Sequence, residues 1–209
     1  VKATKDRYES QSVLTINAGA KHTFKKIFLD YEGQYSYGEQ DTPYDNEGEF
    51  IAGIPSTLDF SNPKFPAFEA DDYTNNSLYD FDAVGFGKTL AKDENLTVKF
   101  NVGVPYKVKG NDGLIKFGAK VRSKNKNFTI QQNTFENLGG VPDLSNFDRN
   151  AIKKEYLSGR YELGRPLDLS NLIRYYNANP GQFELQIEDK AIDEALESFT
   201  ASEDVMAAY

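Results

Sequence analysis

The stretch Asn95-Leu96-Thr97-Val98-Lys99-Phe100-Asn101-Val102-Gly103-Val104-Pro105-Tyr106-Lys107 alternates apolar and polar residues along its length. A period of two places successive side chains on opposite faces of a β-strand. Leu96, Val98, Phe100, Val102, Val104 and Tyr106 therefore share one greasy face, and Asn95, Thr97, Lys99, Asn101 and Lys107 share a wet one. The same pattern recurs at 12–24, 26–37 and 114–123. In the second of these, Ile27, Leu29, Tyr31, Tyr35 and Tyr37 oppose Asp30, Glu32, Gln34 and Ser36. Such runs are longer than the usual strand of about 5–6 residues. They match the ~9–11 residues that a tilted strand needs to cross a bilayer.

The four runs pair into two hairpins. The first turns near Phe24–Lys26. The second turns near Lys109–Gly113, where Gly110-Asn111-Asp112-Gly113 offers the residues that tolerate positive φ. Between and beyond the hairpins lie two long excursions, 38–94 and 123–204. Short turns at one end and long loops at the other are the asymmetry of an outer-membrane barrel. The expected fold is mainly β: antiparallel hairpins from a transmembrane β-barrel, with two long, partly helical extracellular loops. On this reading an Arg replacing Phe100 meets lipid, whereas an Arg replacing Asn101 meets the wet face and is mild.

Composition narrows the alternatives. The chain has 209 residues, a net charge of −8 and no cysteine. That excludes a disulfide framework and Cys-ligated metal, and the acidic balance argues against nucleic acid as a partner. No run of about 18 apolar residues marks a transmembrane helix. The mean hydropathy of −0.62 suits both a barrel piece with large loops and a soluble protein. The 13 Tyr and 15 Phe are compatible with the aromatic girdles of a membrane protein, and equally with strands in general. With Val1 at one end and Val205-Met206-Ala207-Ala208-Tyr209 reading as a strand just beginning, the whole of 1–209 is expected to be an internal part of a longer barrel.

The first excursion is rich in Pro, Asp, Asn and Gly, which fix surface turns. Its Phe50, Phe60, Phe65, Phe68, Tyr73, Tyr79, Phe81 and Phe86 predict a loop that packs on itself. The second carries helical signals. Asp168 or Ser170 caps a helix through Tyr176, stopped by Asn179-Pro180-Gly181, and 188–198 sets Ala191, Ile192, Ala195, Leu196 and Phe199 at helical spacing. Residues 150–157 form a weaker helical candidate.

The run 81–126 joins Asp93-Glu94-Asn95-Leu96, the Pro105-Tyr106 exit, a Gly-rich turn and Leu114-Ile115-Lys116-Phe117-Gly118-Ala119-Lys120-Val121-Arg122-Ser123-Lys124. It resembles the barrel of TonB-dependent outer-membrane receptors of the Bacteroidetes kind. Asp59-Phe60-Ser61-Asn62-Pro63-Lys64-Phe65-Pro66 and Ala201-Ser202-Glu203-Asp204 with the strand after it are similar to that family too. The resemblance does not extend to the family's plug domain or energy-coupling box. In a barrel of roughly 22 strands, this chain would supply about four strands and two loops. The resemblance implies an active transporter in the Gram-negative outer membrane that captures a scarce nutrient: a siderophore, cobalamin or glycan. It implies contact with lipid, and, through parts beyond this chain, with a plug domain and the inner-membrane TonB complex. It implies neither an enzyme nor a cofactor. The alternatives are a secreted, soluble β-rich binding module or adhesin, and a hydrolase using acidic residues.

Individual residues carry little chemistry on their own. His22, the one histidine, shares its parity with Leu14, Ile16 and Ala18 and reads as interfacial. No metal centre is assigned. Asp71, Asp72, Asp80 and Asp82, with Asn75 and Asn76, offer hard oxygen donors but not the spacing of a 12-residue calcium loop, so a solvated acidic loop is the simpler reading. Asp41, Asp45, Glu47 and Glu49 read the same way. Gly85-Phe86-Gly87-Lys88-Thr89 lacks the first glycine of a phosphate loop. Ligand contact is expected in 38–94 and 123–204, with Arg174, Tyr175 and Tyr176 as candidates to clamp or stack on a ligand.

Overall fold

The computed structural model describes residues 1–151, 156–159, 162–187 and 194–209. The chain is mainly β and antiparallel. Four long strands dominate: β1 (Lys2–Thr23), β2 (Phe28–Ile51), then, after the short hairpin β3 (Ser56–Asp59) and β4 (Ala67–Ala70), β5 (Asp80–Val108) and β6 (Asn111–Asn137). Helix α1 (Leu169–Ala178) and strands β7 (Phe183–Leu185) and β8 (Phe199–Ala208) follow. The main sheet runs β1-β2-β5-β6, and β7 and β8 pair different stretches of β6. Among the described residues the sheet is open.

The four strands expected from alternation are present, but each is longer. The stretches 38–51, 80–94 and 123–137, expected in loops, are strand, and the last strand begins at Phe199 rather than near Val205. The connecting segments shrink to 52–79 and 138–198. Apolar alternation marks only where one face is greasy. The ladder continues beyond it because neighbouring strands still offer backbone partners, and charged pairs fasten the polar extensions. Lys92 pairs with Glu39 at 3.6 Å, Lys124 with Asp93 at 3.1 Å, and Lys5 with Asp45 at 3.2 Å.

The first turn falls where expected, with the Phe24 N–H donating to the Ile27 carbonyl at 2.9 Å. The second also falls within the expected Lys109–Gly113, at its start. It consists of Lys109 and Gly110, at φ 51° and 86°. Positive φ at both central residues is the two-residue turn that matches strand twist. Gly110 supplies the glycine, and Asn111-Asp112-Gly113 enter β6.

Contacts divide the chain into two units. The loop unit comprises Val1–Tyr8, Tyr44–Lys88 and Gln131–Ile192, and it has an ordinary core. Phe50, Phe81, Val84, Leu144, Phe147, Leu167, Leu169, Leu172 and Phe183 are buried there. α1 starts at Asp168, whose carboxylate accepts from the Asn171 N–H, and ends at Asn179. Of the two expected caps, Asp168 is used, and Ser170 lies inside the helix. Gly48 on β2 faces Leu167, Leu169 and Leu172, where any β-carbon would sit within 2.7 Å of a leucine methyl. The expected self-packing of aromatics holds for Phe50, Tyr79 and Phe81, whereas Phe60, Phe65 and Phe68 are exposed. Of the second expected helix, residues 194–197 are helical, while 188–193, with Ala191 and Ile192, lie outside the described residues. In the weaker candidate, 156–159 form a 3-10 turn and 152–155 lie outside the described residues.

The strand unit comprises Glu9–Pro43, Thr89–Ile130 and Asp193–Tyr209. β6 pairs β8 from Ala119↔Ala208 to Phe128↔Phe199. No described helix is long and apolar enough to cross a membrane.

Candidate functional site: an inverted sheet and an aromatic cleft

In the strand unit the apolar parity is the open one. Leu96, Val98, Phe100, Val104 and Tyr106 on β5 are exposed, as are Ile115, Phe117 and Val121 on β6, Leu14 and Ile16 on β1, and Tyr31 and Tyr35 on β2. Phe117 is 58 % exposed. On β2 and β5 the opposite parity is more covered, whereas on β1 and on β6 near Lys116 and Lys120 both parities are open. Asn101 is 1 % exposed, and it donates to Asp30 at 3.4 Å and accepts from the Tyr209 hydroxyl. Gly118 makes room for this cluster, since a β-carbon there would strike Asn101 and the Tyr209 ring. Asn17 donates to Glu32 at 3.0 Å, and Arg122 pairs with Glu203 at 2.7 Å. Of the other charged residues on this parity, Lys116 and Lys120 of β6 are exposed, and Lys99 of β5 is half-buried. Asn101 thus corrects the expectation that an Arg would be mild there: the wet face is a packed polar cluster at that point.

A water-soluble sheet buries its greasy face and wets its polar one. In this unit the greasy face is left open. The greasy band on β5 spans eleven residues from Leu96 to Tyr106 and gives way to Glu94 and Lys92 on the same parity. Ten steps of about 3.3 Å come to about 33 Å along the strand; at the tilt of about 40° general to membrane-barrel strands, that length corresponds to about 25 Å of height, that of an outer-membrane apolar band. His22 stacks on Tyr31 at 5.7 Å, with its Nε2 3.2 Å from the Tyr31 hydroxyl, and on Phe24 at 6.3 Å. This aromatic group lies beside the first turn.

The loop unit holds a cleft of about 520 Å³. Its walls are Phe68, Tyr73, Tyr79, Leu163 and Leu167, and Lys2, Glu162 and Arg165 stand among them. Phe68 and Tyr73 meet edge to face at 5.4 Å. The Lys2 ammonium lies 4.4 Å over the Tyr79 ring and donates to Asn76 Oδ1 at 2.6 Å. Asn76, itself buried, donates to Asp148 at 3.1 Å and to the Arg165 carbonyl at 3.0 Å. Asp148 faces the Arg165 guanidinium at 3.7 Å. The Tyr79 hydroxyl donates to the Tyr73 carbonyl at 2.7 Å, and burial raises its pKa. A second depression of about 300 Å³ adjoins the cleft through Glu162 and Arg165, and it is lined by Thr74, Asn75, Asn76, Ser145 and Asp148.

The sequence-assigned candidates fall elsewhere. Tyr175 donates its hydroxyl to Gln182 at 2.7 Å and packs on Phe147 at 5.3 Å. Tyr176 lies between Phe86, Phe135 and Phe183 at 5.0–5.1 Å, and burial raises its pKa. Both tyrosines are half-buried and pack against the core, and Arg174 is exposed beside them. Asp71 and Asp72 sit on an exposed turn, Asp80 opens β5, and Asp82 is half-buried on that strand. Among the described residues no group of three or more His, Asp or Glu is placed to hold a metal ion. Gly85-Phe86-Gly87-Lys88-Thr89 is strand rather than a phosphate loop. Lys2, Asp148 and Arg165 carried no sequence signal, since they meet Asn76 across 72 to 89 residues of chain. Phe68, Tyr73 and Tyr79 were marked only as loop aromatics. Compared with protein-family models, with curated proteins and with solved structures, the chain matches none of them.

Proposed function

We propose that this chain is a section of a TonB-dependent outer-membrane receptor barrel that imports a scarce nutrient: a siderophore, cobalamin or glycan. The observation that carries the reading is the inverted strand unit, with a continuous apolar face open on four adjacent strands and hydrogen-bonded polar groups on the other. An apolar surface of that extent needs a partner, and lipid suits its strand period and height. The open edges at β1 and β8 then continue into further strands of the barrel. The loop unit, with its own core, presents the ligand-capturing surface, since function concentrates on loops held by a rigid scaffold. The plug domain and the coupling to the TonB complex belong to other parts of the receptor.

The test is the behaviour of the full-length protein expressed in a Gram-negative host. It should leave the membrane only in detergent and migrate faster on a gel before heating than after. A protein that stays soluble without detergent, with one mobility in both states, overturns the reading in favour of a secreted binding module or adhesin.

A further inference from the structure

We infer that the aromatic cleft of the loop unit, with the polar depression beside it, is a binding subsite for a neutral oligosaccharide. The inference rests on the receptor reading only in treating the sugar as cargo.

Three features select this chemistry. The first is the pairing of rings and planar polar groups. A pyranose offers apolar C–H faces, which lie well on aromatic rings, and hydroxyls in the plane between them, which pair with amides, carboxylates and guanidinium groups. The cleft supplies Phe68 and Tyr73 for the first, with the buried Tyr79 behind them under the Lys2 ammonium, and Glu162, Arg165 and Lys2 for the second. The second feature is charge. Lys2 and Arg165 face Glu162 and Asp148, one anion for each cation. Lys2 is already engaged by Asn76, and Arg165 by Asp148. An anionic iron chelate needs a surplus of free cations to repay its desolvation, and among the described side chains that line this site there is none. A neutral ligand needs no such surplus. The third feature is shape. About 520 Å³ lies within the ~300–1,000 Å³ of small-molecule sites. The adjoining depression, about 300 Å³, changes from aromatic to hydroxyl and amide lining, with Thr74, Asn75 and Ser145. A chain of linked sugars fits two contiguous subsites that share Glu162 and Arg165. A lipid tail would leave the second one's polar groups unpaired, at the cost that burial without a partner carries.

The site is preorganised. The Asn76 amide ties three separate segments together, and the Tyr79 hydroxyl is fixed by the Tyr73 carbonyl. Phe68 is 41 % exposed on β4, opposite Leu58 of β3, so its ring is open to a ligand and its loss spares the core.

The experiment uses the full-length protein in detergent on an array of neutral, sialylated and sulfated oligosaccharides, ferric chelates and peptides. Retained compounds are then titrated calorimetrically at low and high salt. The expected result is retention of neutral oligosaccharides, with affinity insensitive to salt and weakened about tenfold in Phe68→Ala and in Tyr73→Ala. The salt comparison needs no variant and stands if Tyr73→Ala does not fold. Retention of anionic glycans, chelates or peptides alone, retention of nothing, or neutral binding unchanged by both substitutions overturns the proposal. Sugar binding by a protein that needs no detergent defeats the receptor reading and leaves the cleft standing. Detergent dependence without sugar binding defeats the cleft alone.

Discussion

If the open face of the strand unit meets lipid, one arginine on it is far more costly than one on the other face. Phe100 is the position of choice, since it lies one residue from the middle of the Leu96–Tyr106 band and is 45 % exposed. An arginine at the bilayer midplane costs about 2–4 kcal/mol in a barrel. Removing the phenyl ring adds to this. Full burial of a large apolar side chain contributes about 1.5–3 kcal/mol, and the exposed portion of the ring, somewhat under half, accounts for about 1 kcal/mol of that. Phe100→Arg is therefore expected to cost about 3–5 kcal/mol in lipid. The comparison is Gln34→Arg, on the polar parity of β2 and exposed, where the change should stay within about 1 kcal/mol. Asn101 is unsuitable, because its burial against Asp30 and Tyr209 makes any large replacement costly in water as well as in lipid. The assay is reversible urea unfolding of the full-length protein in lipid vesicles, read by heat-modifiable mobility. Equal midpoints for the two arginine variants would refute the assignment of faces, and a larger loss for Gln34→Arg would reverse it.

Gly48→Ala should destabilise the loop unit by about 1–3 kcal/mol, because the new methyl lands on Leu172, Leu167 and Leu169; a chemical-denaturation midpoint at or above that of the parent would contradict this packing. Asp168→Ala removes the cap of α1 and should cost about 1 kcal/mol by the same measurement, with little recovered by Asp168→Glu, whose longer arm misplaces the acceptor. Tyr79 gives a pH dependence of definite sign. Burial raises its pKa above the ordinary phenol value, so its contribution to stability is complete below about pH 10 and declines as the pH climbs through the raised value. Alkaline stability curves of the parent and Tyr79→Phe should converge in that direction, and a parent curve that lost stability on the acid side of pH 10 through this residue would be the wrong sign.

Alternation in β1, β2, β5 and β6 was legible because a strand's two faces answer directly to every second residue. Residues 95–107 alone fixed the element, its parity and its neighbour across a tight turn. The cap at Asp168 and the stop at Asn179-Pro180 were readable for the same local reason: an N-cap acceptor and a proline act within a few residues of themselves. What alternation could not set were the strand ends. Residues 38–51, 80–94 and 123–137 hold their ladder through partners on other strands, and nothing in their own composition records that those partners exist.

The roles of Tyr175 and Tyr176 were likewise undetermined locally, since an aromatic side chain serves a core and a ligand equally well. Their packing against Phe86, Phe135, Phe147 and Phe183 exists only in the tertiary structure. The cleft is the extreme case: Lys2, Asn76, Asp148 and Arg165 become one hydrogen-bonded group only after widely separated segments meet. By itself the sequence determined which faces are greasy, where the chain turns sharply and where a helix starts, because those depend on near neighbours. The tertiary structure alone decided which greasy groups are buried and which polar groups converge, because both depend on contacts between residues far apart along the chain.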